Sequence, residues 1–157
     1  MQTLKKNKGF TIIEVVLVLA IAGLIFLMVF IALPALQRSQ ADTQRRSDAG
    51  RLLSAVTNYE TNNRGNAPTY TQVVNSITSA GDQFTDPSGN PYTQNTSGSG
   101  TLATGEIYYQ SGAVCNPAGS GPTTTFNGQP VGARKVAVIV GLSNSTSAWS
   151  GTYCTSN

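Results

Sequence analysis

Few side chains in this sequence are placed to do chemistry. Histidine is absent, so there is no imidazole base and no imidazole metal ligand. Beyond residue 50 the only acids are Glu60, Asp82, Asp86 and Glu106, too dispersed to act as an acid–base pair. Serine and threonine are abundant, yet none stands beside a group that would activate it as a nucleophile. The sequence therefore predicts no catalytic residue, no metal site and no cofactor. Three features remain. Glu14 lies at the start of a long apolar run, five residues after Gly9, and Cys115 and Cys154 form an even pair far downstream. The third is the Gly9–Phe10 bond. Hydrolysis there would create an α-amino group at the mouth of the same apolar run, the one cation that could neutralise Glu14.

That run must position the carboxylate. No charged residue occurs from Val15 to Leu36. At 1.5 Å per residue, some 22 residues reach about 33 Å, enough to cross the hydrocarbon of a bilayer. Lys5, Lys6 and Lys8 precede it, which sets the leader in the cytoplasm and the C-terminal bulk outside. Three readings compete. A secretory signal cut after Ala20-Ile21-Ala22 would leave Leu24-Ile25-Phe26-Leu27-Met28 at the start of the mature chain, just behind Gly23, and such a chain is insoluble. A plain membrane anchor leaves Glu14 unpartnered, at a cost of up to about 2.5–3.5 kcal/mol at the bilayer centre. A cut after Gly9 supplies the partner.

The third reading carries a resemblance. Gly9-Phe10-Thr11-x-x-Glu14, preceded by lysines and followed by the apolar run, resembles the class III signal of type IV pilins and pseudopilins, and covers roughly the first 60 residues. The resemblance implies that a prepilin peptidase cleaves after Gly9 and N-methylates Phe10. It implies that the helix is kept as a filament core, and that Glu14 pairs with the terminal amine of a neighbouring subunit. The implied fold is α+β, a long N-terminal helix packed against a small antiparallel sheet. Residues 1–9 are then a cleaved leader, 10–62 the long helix (10–36 the transmembrane and core part), and 63–157 the head domain.

Composition fits this picture. The formal charge of +3 resides in the three leader lysines, leaving zero from Phe10 onward. The basic pI of the precursor thus argues nothing about nucleic acid. Charged residues make up 11% of the chain and none follows Lys135, so Ser, Thr, Asn and Gly must solvate the outer part. In an exported segment Cys115 and Cys154 read as one disulfide, with two free buried thiols as the alternative. The resemblance favours the bridge, which closes the C-terminal loop of many type IV pilins. Calcium, held by some major pseudopilins, requires clustered oxygen ligands that the sequence after Glu106 lacks.

Along the chain, Gly23 and Pro34 weaken the helix, and Pro34 predicts a kink. Residues 37–61 form a polar helix with a stripe of Ala49, Leu52, Leu53, Val56 and Tyr59 facing the head. Arg38, Asp42, Arg45, Arg46, Asp48 and Arg51 occupy its other faces, either solvated or meeting neighbouring subunits, with pairs Arg38–Asp42 and Asp42–Arg46 four apart. Residues 62–68 stop the helix. A short helix is expected over 70–80, capped by Thr71, with Val73, Val74 and Ile77 on one face. Asp86-Pro87-Ser88-Gly89-Asn90-Pro91-Tyr92 is a turn-dense loop that resembles a D-P-x-G-x-P-Y segment of many pilins. Residues 93–105 read as a mobile loop, 106–111, 135–141 and 148–154 as strands, and 116–132 as a loop. Asn95-Thr96-Ser97 and Asn144-Ser145-Thr146 match a glycosylation acceptor pattern that such text also yields by chance. Tyr108, Tyr109, Trp149 and Tyr153 read as core and rim packing.

The function implied by the resemblance is structural: a subunit of a type IV pilus-like filament (adhesion, twitching motility), single-pass in the cytoplasmic membrane before assembly and extracellular after it. Implied partners are further copies in a helical filament, the prepilin peptidase, the inner-membrane assembly platform and motor ATPases. The alternatives are a pseudopilin of a type II secretion-like machine, or a minor pilin in DNA uptake. A mature charge of zero, with only Arg134 and Lys135 near the C-terminus, disfavours nucleic acid.

Overall fold

The computed structural model describes residues 9–98, 100–116, 121–126, 129–143 and 149–157. Helix α1 runs Ile12–Asn62, with helical backbone unbroken through Gly23 and Pro34. Two compact units divide the chain, one ending at Ser39 and the other Gln40–Asn157.

In the first unit the helix is apolar on every side. All the exposed large hydrophobics among the described residues fall between Phe10 and Leu36. This stretch is long and apolar enough to cross a membrane, and none of its most apolar window is buried within the chain.

In the second unit, the remainder of α1 buries Ala49, Leu52 and Val56 completely, at three- and four-residue spacing, with Leu53 partly buried beside them. They pack against a four-stranded sheet of order β1-β2-β7-β8. Its strands are β1 (Thr93–Asn95), β2 (Glu106–Ser111), β7 (Val136–Gly141) and β8 (Thr152–Ser156). Between β2 and β7 lie the short pairs β3 (Val114–Cys115) with β4 (Pro122–Thr123) and β5 (Thr125–Phe126) with β6 (Gln129–Pro130). The α+β architecture is pilin-like, as expected. The β2, β7 and β8 strands are antiparallel, as expected, with Tyr108↔Ile139↔Cys154 in one row.

Five expectations are corrected. The sheet is mixed, because β1 pairs in parallel with β2. The stretch 93–105, expected as a loop, begins with that strand, and Leu102 within it is 2% exposed. Residues 116–132 contain three of the short strands. The third long strand starts at Thr152, after Trp149 and Gly151 turn the chain with positive φ. Helix α2 (Tyr70–Ser79) is capped by Thr69, not Thr71, in a reciprocal box with Gln72, and it buries Val73 and Ile77.

Register explains why β7 is buried at every position. Val136, Val138 and Val140 alternate onto the face shared with Ile107 and the helix. Ala137 and Ile139 point the other way, yet both are fully buried, as are Leu102 and Ala113. The outer face is thus covered as well. Gly141 permits the close approach this requires: a Cβ there would lie 2.1 Å from the carbonyl oxygen of Ala103.

Candidate functional site

At the N-terminal end of α1, Gly9 and Phe10 precede the helix and are exposed, Phe10 at 84%. No atom outside its chain neighbours lies within 4 Å of where a Gly9 Cβ would sit. The Thr11 carbonyl starts the helix, accepting from the amides of Glu14 at 3.1 Å and Val15 at 3.3 Å. Glu14 stands in the first turn, where the helix dipole favours an anion. It shares a shallow groove of roughly 350 Å³ with Phe10, Val15, Val18 and Leu19. Carboxylate and Phe10 therefore sit side by side on an apolar surface. Lys5, Lys6 and Lys8 lie outside the described residues.

These features coincide with the result of comparison. Residues 4–30 match the prokaryotic N-terminal methylation motif. The chain carries a class III signal. Such signals are typical of type IV pilins and pseudopilins, and the motif implies processing by a prepilin peptidase. No curated protein and no solved structure matches the chain.

Downstream, Cys115 and Cys154 are joined, with Cα atoms 5.8 Å apart. The bridge ties β3 to the outer face of β8. Cys115 lies in β3, beyond a turn at Gly112 that follows β2.

The structure also assembles a polar cluster that sequence reading had placed on a solvated or intersubunit face. Arg45 and Asp48 are each only 5% exposed. The Arg45 guanidinium donates to both oxygens of Asp86 (2.6 and 3.1 Å) and to Asp42 at 2.8 Å. Asp42 in turn accepts from the amide and hydroxyl of Ser143, at 3.0 and 2.8 Å. Asp86 accepts from the amide of Ser88 at 3.0 Å, and the Tyr92 hydroxyl donates to Asp48 at 2.9 Å. One arginine thus fastens the 86–92 turn and the residue after Leu142 to α1. Asp42 pairs three residues on with Arg45; neither predicted four-apart pair forms among the described residues. Arg46 instead lies 6.0 Å over the ring of Tyr153.

Burial by itself would raise the carboxyls of Asp42 and Asp86. Hydrogen bonds from Ser143 and Arg45 to Asp42, and from Arg45 and Ser88 to Asp86, outweigh it and hold both below the usual value of 3.8. The bond to Asp86 raises Arg45 despite desolvation. Burial, then the bond to Asp48, pushes the Tyr92 phenol up. The sequence signal for the cluster was slight: acids and arginines at three-residue spacing, and an aspartate opening a proline turn.

Asn95 is engaged in full. Its amide donates to Glu106 at 3.0 Å, and its carbonyl accepts from the amide and hydroxyl of Ser97. That leaves the nitrogen poorly placed to receive a glycan. Asn144-Ser145-Thr146 lies outside the described residues. Tyr108 meets Trp149 edge-on at 5.6 Å, Tyr109 donates to the Pro68 carbonyl, and Tyr153 packs on the core; all four aromatics pack, as expected. Among the described residues no group of three His, Cys, Asp or Glu side chains could hold a metal ion.

Proposed function

We propose that this chain is the precursor of a structural subunit of a type IV pilus-like filament. In this reading a prepilin peptidase cuts after Gly9 and methylates Phe10. The subunit waits in the cytoplasmic membrane as a single-pass protein, held by residues 10–36, with 63–157 as the outer head. An assembly platform driven by motor ATPases then adds it to a helical filament of like subunits at the cell surface. Glu14 pairs with the Phe10 amine of a neighbour as the helix leaves the lipid.

One observation carries the proposal. A methylation motif over residues 4–30 leads into a helix whose large apolar side chains are exposed all round. Such a surface needs lipid at one stage and packed partners at the next, because water tolerates no apolar patch of this size. Cleavage before Phe10 retains the helix, where an ordinary secretory signal would be discarded.

The decisive experiment is an intact mass of the protein from sheared cell-surface material. The expected species begins at methylated Phe10 and is two hydrogens light for the disulfide. A processed form found only in membranes favours the secretion pseudopilin, and a chain still beginning at Met1 rejects the proposal.

A further inference from the structure

The unit Gln40–Asn157 contains six cations and six acids, so its net charge is zero, but the charges are not evenly spread. Toward the start of its helix, Arg45 is consumed by Asp42 and Asp86, and Arg51 by Asp48 and Asp82. At the other end of the helix the balance reverses. Arg64 is exposed with φ of 58°. The Arg134 guanidinium lies against the backbone of Gly65, where a Cβ would meet its Cζ at 2.8 Å. Lys135 follows, exposed like Arg134. None of the three has an ion pair among the described residues. The acid in that corner, Glu60, is turned inward: one oxygen accepts from Asn157 and the other is buried.

A complementary place exists on the same unit. A groove of roughly 710 Å³ is lined by Gly50, Arg51 and Ser54 of α1 together with Ser76, Ala80 and Asp82, so its one acid stands beside its one cation. The Asp82 side chain is 66% exposed, the acid most open to solvent in the four ion pairs. Its bond to the 41% exposed Arg51 is long, at 3.3 Å, and a pair this exposed is readily exchanged. The C-terminal end of α2 adds partial negative charge, and no basic residue occupies its last turn. Arg64 lies beyond the end of α1 at Asn62, eleven residues or roughly 16 Å of helix past Asp82's partner Arg51, and among the described residues no ion pair within this copy joins Asp82 to Arg64, Arg134 or Lys135.

We infer that the Arg64–Arg134–Lys135 corner of one copy docks at the α1–α2 groove of a second copy, with Asp82 as its counter-charge. The contact is heterologous, head to tail, and so propagates instead of closing on itself. The occupant is a second copy because the head is neutral as a whole and offers both halves of the pair. This inference rests on the filament reading above.

Lys135 is the single lysine beyond the leader, which makes the test clean. Sheared filaments are treated with a water-soluble carbodiimide, which activates an aspartate for attack by a touching amine, with loss of one water. The expected result is a ladder of covalent multimers whose linked peptide joins Asp82 to Lys135. Lys135→Arg keeps the charge and should give normal filaments without a ladder. Lys135→Glu should lower filament yield roughly tenfold, and Asp82→Lys in the same chain should restore it. Linkage of Lys135 to an acid other than Asp82, absence of any Lys135 cross-link, or wild-type yield from Lys135→Glu overturns the inference while leaving the filament reading intact. Absence of filaments from the unaltered chain, seen before any cross-linker is added, removes both.

Discussion

Arg45 donates to Asp42, Asp86 and the Ser143 hydroxyl at once and has almost no contact with water. Removing it strands Asp42 and Asp86, both largely buried, without a cation. Breaking a buried ion pair from one side costs about 3–5 kcal/mol, mostly as the penalty on the charge left behind. Arg45→Ala should therefore destabilise the protein by that order, read as a fall in melting temperature of the full chain in detergent. Acid probes the same residues. Both carboxyls titrate below 3.8 in the folded protein, so their stabilisation is complete above that value and is lost as pH falls through the folded-state values. The melting temperature should hold level from about pH 7 to 5 and drop below about pH 4. In Arg45→Ala the acid drop should shrink, because protonation then relieves the stranded charges. At this scale the sequence was a poor guide. Its period identified Leu52 and Val56 correctly from their apolar character. It placed Arg45 and Asp48 outside for the same reason, since periodicity cannot foresee that Asp86, 41 residues on, will meet the arginine.

At the scale of elements, two glycines make opposite predictions. Gly50 sits within α1 with open space where a Cβ would go. Gly50→Ala should raise stability by roughly 1 kcal/mol through helix propensity. If Gly50 also lines the contact between copies, the same change should lower filament yield while the melting temperature rises. Gly141 lies in β7 beneath the Ala103 carbonyl. Gly141→Ala must displace backbone and should cost about 1–3 kcal/mol, measured by denaturant titration. Strands 106–111 and 135–141 announced themselves through β-branched and aromatic runs, whereas β1 and residues 100–105 are built, Leu102 apart, from Thr, Gln, Asn, Ala and Gly, whose composition equally suits a loose loop. What orders them is tertiary: parallel pairing to β2, the insertion of Leu102, and the Cys115–Cys154 bridge. That bridge, with a sequence separation of 39, should contribute about 4 kcal/mol, so replacing both cysteines by serine should lower stability by that order.

Over the whole molecule, the two ends of α1 obey different solvents, and Glu14 is where the difference becomes testable. The motif, the apolar run and the exposed helix were legible from the first 36 residues because membrane length and charge exclusion are one-dimensional properties. What Glu14 does is a matter of two molecules. In lipid its carboxylate is a burden, and Glu14→Gln relieves it with almost no change of shape. A plain anchor would therefore tolerate Glu14→Gln or insert better. A subunit that needs the carboxylate to receive a neighbour's terminal amine would lose the attraction that draws the next helix into register, and would leave that amine buried and unpaired. The filament reading expects Glu14→Gln to be cleaved after Gly9 and methylated as usual, to accumulate in the membrane fraction, and to yield no filaments on shearing. Equal amounts of sheared filament from Glu14→Gln and the unaltered chain would show that the carboxylate takes no part in assembly. In that case its place in the first turn of α1 would be explained by the helix dipole alone.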